Sequence, residues 1–214
     1  MQLILQDIPF ILLCEKATYR EDSCTLILSD LHLGKAAHFR KAGIYMPPDS
    51  ALKDYAHLRL LIHKMQPEQV YILGDLFHSE HNNEWDLFAA TIKAFPEIRF
   101  VLVLGNHDIL KHHHYEELNI TLVENSLTEG NIIYSHAPLK EVPEGFTNIA
   151  GHIHPGVRLV GIADQSLTLP CFYLHNNCLL LPAFGHLTGL QIMRNEKGAR
   201  IFAVTGSKVV DVFG

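Results

Sequence analysis

The sequence has no uninterrupted apolar run approaching the ~18 residues that a membrane-spanning helix requires. Cysteine is scarce. Cys14, Cys24, Cys171 and Cys178 are the four present, and no two are spaced as CxxC. That argues against a disulfide-stapled scaffold and fits a reducing, cytoplasmic compartment. The apolar N-terminal stretch is interrupted by Asp7 and has no basic residue before Lys16, so it reads as a poor secretion signal. Cationic charge is also short: 17 Lys and Arg face 23 Asp and Glu, a net charge of −6. Any nucleic-acid contact must then come from a local patch and not from a global basic field. Repeats, linkers and low-complexity segments are missing too. With 48% hydrophobic and 19% charged residues, the 214 residues are expected to form a single domain, 1–214, with a full-sized core. What the chain has in abundance is histidine, 15 in all.

The first half alternates strand and helix signals. Cys24-Thr25-Leu26-Ile27-Leu28, Val70-Tyr71-Ile72-Leu73 and Phe100-Val101-Leu102-Val103-Leu104 are short apolar runs of the kind found in strands buried on both faces. Ser50 can cap a helix whose apolar positions Ala51, Tyr55, Leu58, Ile62 and Met65 share a face. Trp85, Phe88, Ala89, Ile92 and Phe95 predict a second helix, stopped by Pro96. Strands joined through such helices imply right-handed crossovers and a mainly parallel sheet. Beyond residue 120 the runs at 132–134, 157–160, 179–181 and 201–204 are separated by turn residues and have little helical period. They predict a second, more antiparallel sheet packed on the first.

Metal-type residues punctuate these strands. Ser29-Asp30-Leu31-His32 follows the first, Gly74-Asp75 the second, and Gly105-Asn106-His107-Asp108 the third. In the second half, His136 and the pair His152 and His154 also follow short apolar runs. Ligands bind at strand ends in α/β sheets because loops converge there on a rigid frame. Residues two apart on an extended segment point the same way, so Asp30 with His32, and His152 with His154, can each offer two donors to one centre. Taken singly, an Asp at a strand end is more often a turn residue or helix cap, and a lone His an ordinary surface residue. The ordered set DxH, GD, GNHD, SHA and GHxH is a different matter. Its oxygen and nitrogen donors suit Mn²⁺, Fe or Zn²⁺.

That ordered set resembles the calcineurin-like metallophosphoesterase superfamily. Within it, residues 29–47, 73–79 and 181–189 look like the bacterial DNA-ligase-associated metallophosphoesterases. The resemblance implies an α/β (in part α+β) fold: a four-layer αββα sandwich of two mixed sheets flanked by helices. It also implies two divalent metal ions, Mn²⁺ favoured with Fe or Zn²⁺ as alternatives. One ion would take Asp30, His32, Asp75 and His154, and the other Asp75, Asn106, His136 and His152, with Asp75 bridging. His107 matches the catalytic histidine that touches the reacting phosphoryl group, as a proton donor or as a charge stabiliser. Two divalent ions, two carboxylates and a bridging hydroxide sum to about +1, enough to draw phosphate to an acidic chain. Many superfamily members carry an acid where this sequence has His78. His78 is read, with Lys35, His38 and Arg40, as facing substrate, the basic residues forming a rim for a nucleic-acid backbone. Lys111-His112-His113-His114 reads as a partly exposed helix start, and His57, His63, His81, His175 and His186 as structural, with His186 the strongest exception.

The expected activity is metal-dependent phosphodiester hydrolysis on DNA, in repair, by in-line attack of a metal-bridging hydroxide. A DNA ligase, helicase or nuclease of the same pathway is the expected partner, and a homodimer is a further expectation; no membrane association is expected. Two other readings compete. A hydrolase of a small phosphorylated metabolite (nucleotide, cyclic nucleotide or lipid-precursor pyrophosphate) shares these motifs, although no long apolar insertion suited to a lipid lid lies between residues 107 and 136. A non-catalytic metal-binding scaffold would be expected to have lost donors that this chain keeps.

Overall fold

The computed structural model describes residues 1–36, 39, 43, 45, 50–77, 82–161 and 165–213. Three short antiparallel strands, β1 (Gln2–Leu5), β2 (Ile8–Leu12) and β3 (Thr18–Arg20), lead into β4 (Thr25–Leu28). From there the chain alternates as the periodicity predicts. α1 (Ser50–Met65), β5 (Gln69–Leu73), α2 (Asn83–Lys93), β6 (Arg99–Val103), the short α3 (His112–Glu116) and β7 (Ile120–Val123) follow, and β4 to β7 pair parallel in sequence order. The leading antiparallel strands, read at first only as an apolar N-terminus, make this seven-stranded sheet mixed.

Side-chain alternation explains why β4, β5 and β6 are apolar after their first residues, Thr25, Gln69 and Arg99. Leu26, Leu28, Val70, Ile72, Phe100 and Leu102 pack among Tyr55, Leu58, Leu61 and Ile62 of α1 and Trp85, Phe88 and Ile92 of α2. The intervening Ile27, Tyr71, Leu73, Val101 and Val103 face the other way, into a core shared with the second sheet. With neither face meeting water, no polar alternation survives in the sequence. Each such side chain contributes roughly 1.5–3 kcal/mol by its burial. Asn82 caps α2, its side chain accepting from the Glu84 amide at 2.8 Å.

The second sheet comprises β8 (Ser126–Glu129), β9 (Ile132–Ser135), β10 (Thr147–Ala150), β11 (Pro155–Val160), β12 (Ser166–His175), β13 (Cys178–Leu180), β14 (Gln191–Ile192), β15 (Arg200–Val204) and β16 (Val209–Asp211). Its path runs β14-β11-β12-β13-β10-β9-β8, with β15 joined to β12 and β16. Pairing is mixed: β9, β10 and β13 run parallel, while β8, β12, β15 and β16 join antiparallel. Ile132, Tyr134, Ile149, Phe172, Leu179, Leu181 and Phe202 close the inter-sheet core. The result is the expected α/β sandwich of two mixed sheets. All three described helices lie on the first sheet's side. The outer face of the second, with Ala150, Cys171, Tyr173, Leu180 and Ile201, is packed by partly buried residues such as Met193 and Ala199. Among the described residues no helix is long and apolar enough to cross a membrane.

Candidate metal centre

Parallel strands deliver their C-terminal ends to one edge of the sandwich, and the loops there are tied to one another through backbone. The Asp30 amide donates to Gly74 O (3.1 Å), the His32 amide to Asp75 O (2.8 Å) and the Leu33 amide to Leu76 O (2.9 Å). The β4–β5 pairing thus continues past both strands and holds the DxH segment against Asp75. From the second sheet, the Gly151 amide donates to His136 O at 2.9 Å, and the His152 amide reaches across to Asp30 Oδ2 at 2.9 Å. A side chain at Gly151 has no room: its Cβ would lie 2.5 Å from Asp30 Oδ2.

Convergence produces two groups of donors. Asp30, His32 and His154 form one, and Asp75, His136 and His152 the other, with the donor atoms of each group within 4.8 Å of one another. In the first, His32 Nε2 and His154 Nε2 are 3.3 Å apart, and His154 Nε2 is 3.3 Å from Asp30 Oδ1. In the second, His136 Nε2 lies 3.0 Å from His152 Nδ1 and 3.1 Å from Asn106 Oδ1. Asp75 sits between them, Oδ2 facing His32 Nε2 at 3.7 Å and Oδ1 facing His136 Nε2 at 3.4 Å. The seven expected ligands therefore meet, with His107 alongside: its ring centroid is 5.6 Å from that of His32, and its amide donates to Asp75 Oδ1 at 3.0 Å.

The donor chemistry fits cations. Two ring nitrogens bound to one ion at ~2.1 Å, with an angle between tetrahedral and octahedral, lie about 3.0–3.4 Å apart. Both histidine pairs are in that range. His136 Nδ1 is 3.0 Å from Leu73 O, and since a carbonyl only accepts, Nδ1 carries the proton. Its Nε2 then turns a lone pair toward Asn106 Oδ1 and Asp75 Oδ1, themselves acceptors. A proton would serve one of these contacts; a divalent ion serves them all. A ligating histidine that donates its other N–H to a backbone carbonyl is the usual supporting arrangement. Asp30 is fully buried, with Oδ1 making no hydrogen bond. Burial alone would raise its pKa, but the facing His154 and His136 hold it below the ordinary carboxylate value. The backbone agrees: Asp30, His32, Asp75, His152 and His154 all have φ between 48° and 67°, the sparsely populated left-handed region that gathers at functional sites.

Asp108 went unassigned in the sequence, although it closes the GNHD motif. Its Oδ2 accepts from the amides of Asp75 (2.9 Å) and Gly105 (2.8 Å), and its Oδ1 from Leu76 (2.9 Å) and Phe77 (3.2 Å). One carboxylate therefore sets the loops after β5 and β6 in register. Burial pushes the Asp108 carboxyl up to about 6, against the pull of these amides. Asp108→Ala leaves four donors without their acceptor and is expected to destabilise the fold by about 3–5 kcal/mol, lowering the melting temperature by roughly 10 °C. A thermal melt checks this; an unchanged midpoint would show that the loops hold without the carboxylate.

Of the expected substrate-facing residues, Lys35 is described. It is half-buried beside His32 and Asp54, and burial lowers its pKa while Asp75 pulls it back up. Its Nζ also sits 5.9 Å from the centroid of Phe39. His38, Arg40 and His78 lie outside the described residues. His112, His113 and His114 do begin a short helix, α3. His186, by contrast, is more than a filler of space, since Asp54 of α1 holds its ring.

A sandwich that gathers two histidine–carboxylate groups at its strand ends defines a metal-dependent phosphoesterase. Residues 25–186 match the calcineurin-like phosphoesterase family, and the chain belongs to it; its members hydrolyse phosphate esters at a two-metal centre. Among solved structures, the chain is similar to the nuclease MPE of Pseudomonas putida, with a TM-score of 0.83 and 26% identity over 99% of both chains. A second, YfcE, a phosphoesterase from E. coli, aligns over 88% of this chain and 97% of its own, at 12% identity and a TM-score of 0.48. No curated protein matches the sequence.

Proposed function

We propose that the chain is a two-metal phosphodiesterase that cleaves DNA. The observation that carries this reading is the placement of Asp75, one carboxylate oxygen toward each donor group. Likeness to the Pseudomonas putida nuclease MPE along the whole chain supports nucleic acid as the substrate. In this reading Asp30, His32 and His154 hold one divalent cation, Asn106, His136 and His152 the other, and Asp75 both. The mixed oxygen and nitrogen set suits Mn²⁺. Bound cations supply Lewis-acid polarisation of the phosphoryl oxygens and lower the pKa of water.

The chain's own residues do the rest. Asp30 and Asp75 are fixed by the His152 and His107 amides, so their oxygens are oriented before substrate arrives. His107, beside His32 and pinned through its own backbone, meets charge that develops on an equatorial or leaving oxygen during in-line displacement. Lys35 takes a phosphate at the edge of the site. The biological setting proposed is DNA repair in the cytoplasm, alongside a ligase, helicase or nuclease.

With Mn²⁺, the purified protein is expected to cut DNA and hydrolyse bis(p-nitrophenyl) phosphate. A chelator should lower both rates by more than about 10²-fold and added Mn²⁺ should restore them. Elemental analysis should find two ions per chain. Full activity after the metal is stripped would defeat the proposal, as would failure to cleave any DNA form.

A further inference from the structure

A second histidine–carboxylate arrangement lies at the same edge, outside the metal centre. β13 runs parallel to β10, so the segment that follows it, 181–190, leaves the sheet beside the segment bearing His152 and His154. This segment docks on the first ligand loop through backbone: the Phe184 amide donates to Ser29 O at 2.9 Å and the Gly185 amide to Asp30 O at 3.1 Å. The approach is so close that a Cβ on Gly185 would strike Leu31 O. The next residue, His186, is thereby fixed relative to Asp30 and His32.

Its ring is held as firmly as its backbone. Asp54 of α1, with a side chain 8% exposed, receives both the His186 amide (3.1 Å) and the ring Nδ1. His57, one turn further along α1, stacks on Phe184 with centroids 4.8 Å apart and stands 5.8 Å from the His186 ring. Lys16 donates to Gly185 O at 3.3 Å and interacts electrostatically with Asp54. The acid is buried and the imidazole side chain is 46% exposed, which leaves its Nε2 edge toward solvent. Asp54 also lines a narrow slot with His32, Lys35 and Leu187, so the acid that holds the ring adjoins the side of the centre that carries His32 and Lys35. A buried acid that orients an exposed imidazole builds a directed hydrogen-bonding group, and a phosphodiester backbone offers such groups at every nucleotide.

We propose that His186, aimed by Asp54, contacts a non-scissile phosphate of the nucleic-acid substrate on the side of the centre formed by Asp30 and His32. The assignment rests on the nuclease reading above. It makes His186 a substrate-contacting residue and Asp54 a positioning residue that acts through it.

Steady-state kinetics with Mn²⁺ on a single-stranded oligonucleotide and on bis(p-nitrophenyl) phosphate test it, with metal content and melting temperature measured for each variant. His186→Ala is expected to raise KM for the oligonucleotide about tenfold, with kcat within about threefold, as loss of one phosphate contact should. The small diester has no neighbouring phosphate, so its KM should rise at least about fivefold less. Asp54→Asn should move the oligonucleotide KM in the same direction, and His186→Gln, which keeps a donor, should recover part of it. If His186→Ala proves unstable, His186→Gln and Asp54→Asn carry the comparison. An unchanged oligonucleotide KM overturns the proposal while leaving the nuclease reading intact, and so does an equal rise for both substrates. A wild-type protein active on the small diester but not on DNA overturns both.

Discussion

Asp75→Asn is expected to lower phosphodiester turnover by roughly 10³-fold, equivalent to about 4 kcal/mol of transition-state stabilisation, and to empty both halves of the centre together. Asp75 is 2% exposed, and its two oxygens face different histidines, His32 and His136. An amide of the same shape keeps one oxygen, enough to accept from the His107 amide at its present 3.0 Å, so the loop should survive. The other position becomes an NH₂ turned toward a ring nitrogen, with no charge to offer a cation. Elemental analysis checks the result against a melt that shows an intact fold. A variant that retains two ions and the wild-type rate would refute the shared role of Asp75.

His107→Ala is expected to do the converse: keep the metals and lose about 10²–10⁴-fold in turnover, the range for a positioned acid or charge stabiliser. Its backbone N–H, not its ring, makes the Asp75 contact, and alanine preserves that N–H. Metal content should therefore match the wild type. The substrate pair also separates the two roles. A larger loss on DNA than on bis(p-nitrophenyl) phosphate, whose leaving group needs no proton, assigns proton donation; an equal loss assigns charge stabilisation. Retained turnover in the alanine variant would remove His107 from the chemistry.

The parts of the fold visible in the sequence are those governed by one simple constraint. β4, β5 and β6 were legible because burial on both faces leaves unbroken apolar runs, and the donors were legible because they interrupt those runs at strand ends. The N-terminal hairpin was not. Its two-residue turn is Gln6-Asp7, with φ of 49° and 62°, where Asn-Gly would have been the recognisable signal. Asp108 was hidden for another reason. Its partners are backbone amides brought to it by the parallel pairing of β5 with β6, and amides leave no mark in a sequence. The Asp54–His186 pair joins residues 132 apart, and nothing local in either segment announces the other.

The left-handed backbone at Asp30, His32, Asp75, His152 and His154 limits how this catalyst can vary. Asparagine, aspartate and histidine enter that region more readily than other side-chain-bearing residues, and β-branched ones are outliers there. The amino acids able to donate to a hard or borderline cation overlap with those the peptide geometry will accept. Mutational drift at these positions is therefore filtered twice, once by coordination chemistry and once by torsion angle. Redesign for a different ion has Asp, Asn and His as its working alphabet unless the main chain is rebuilt as well.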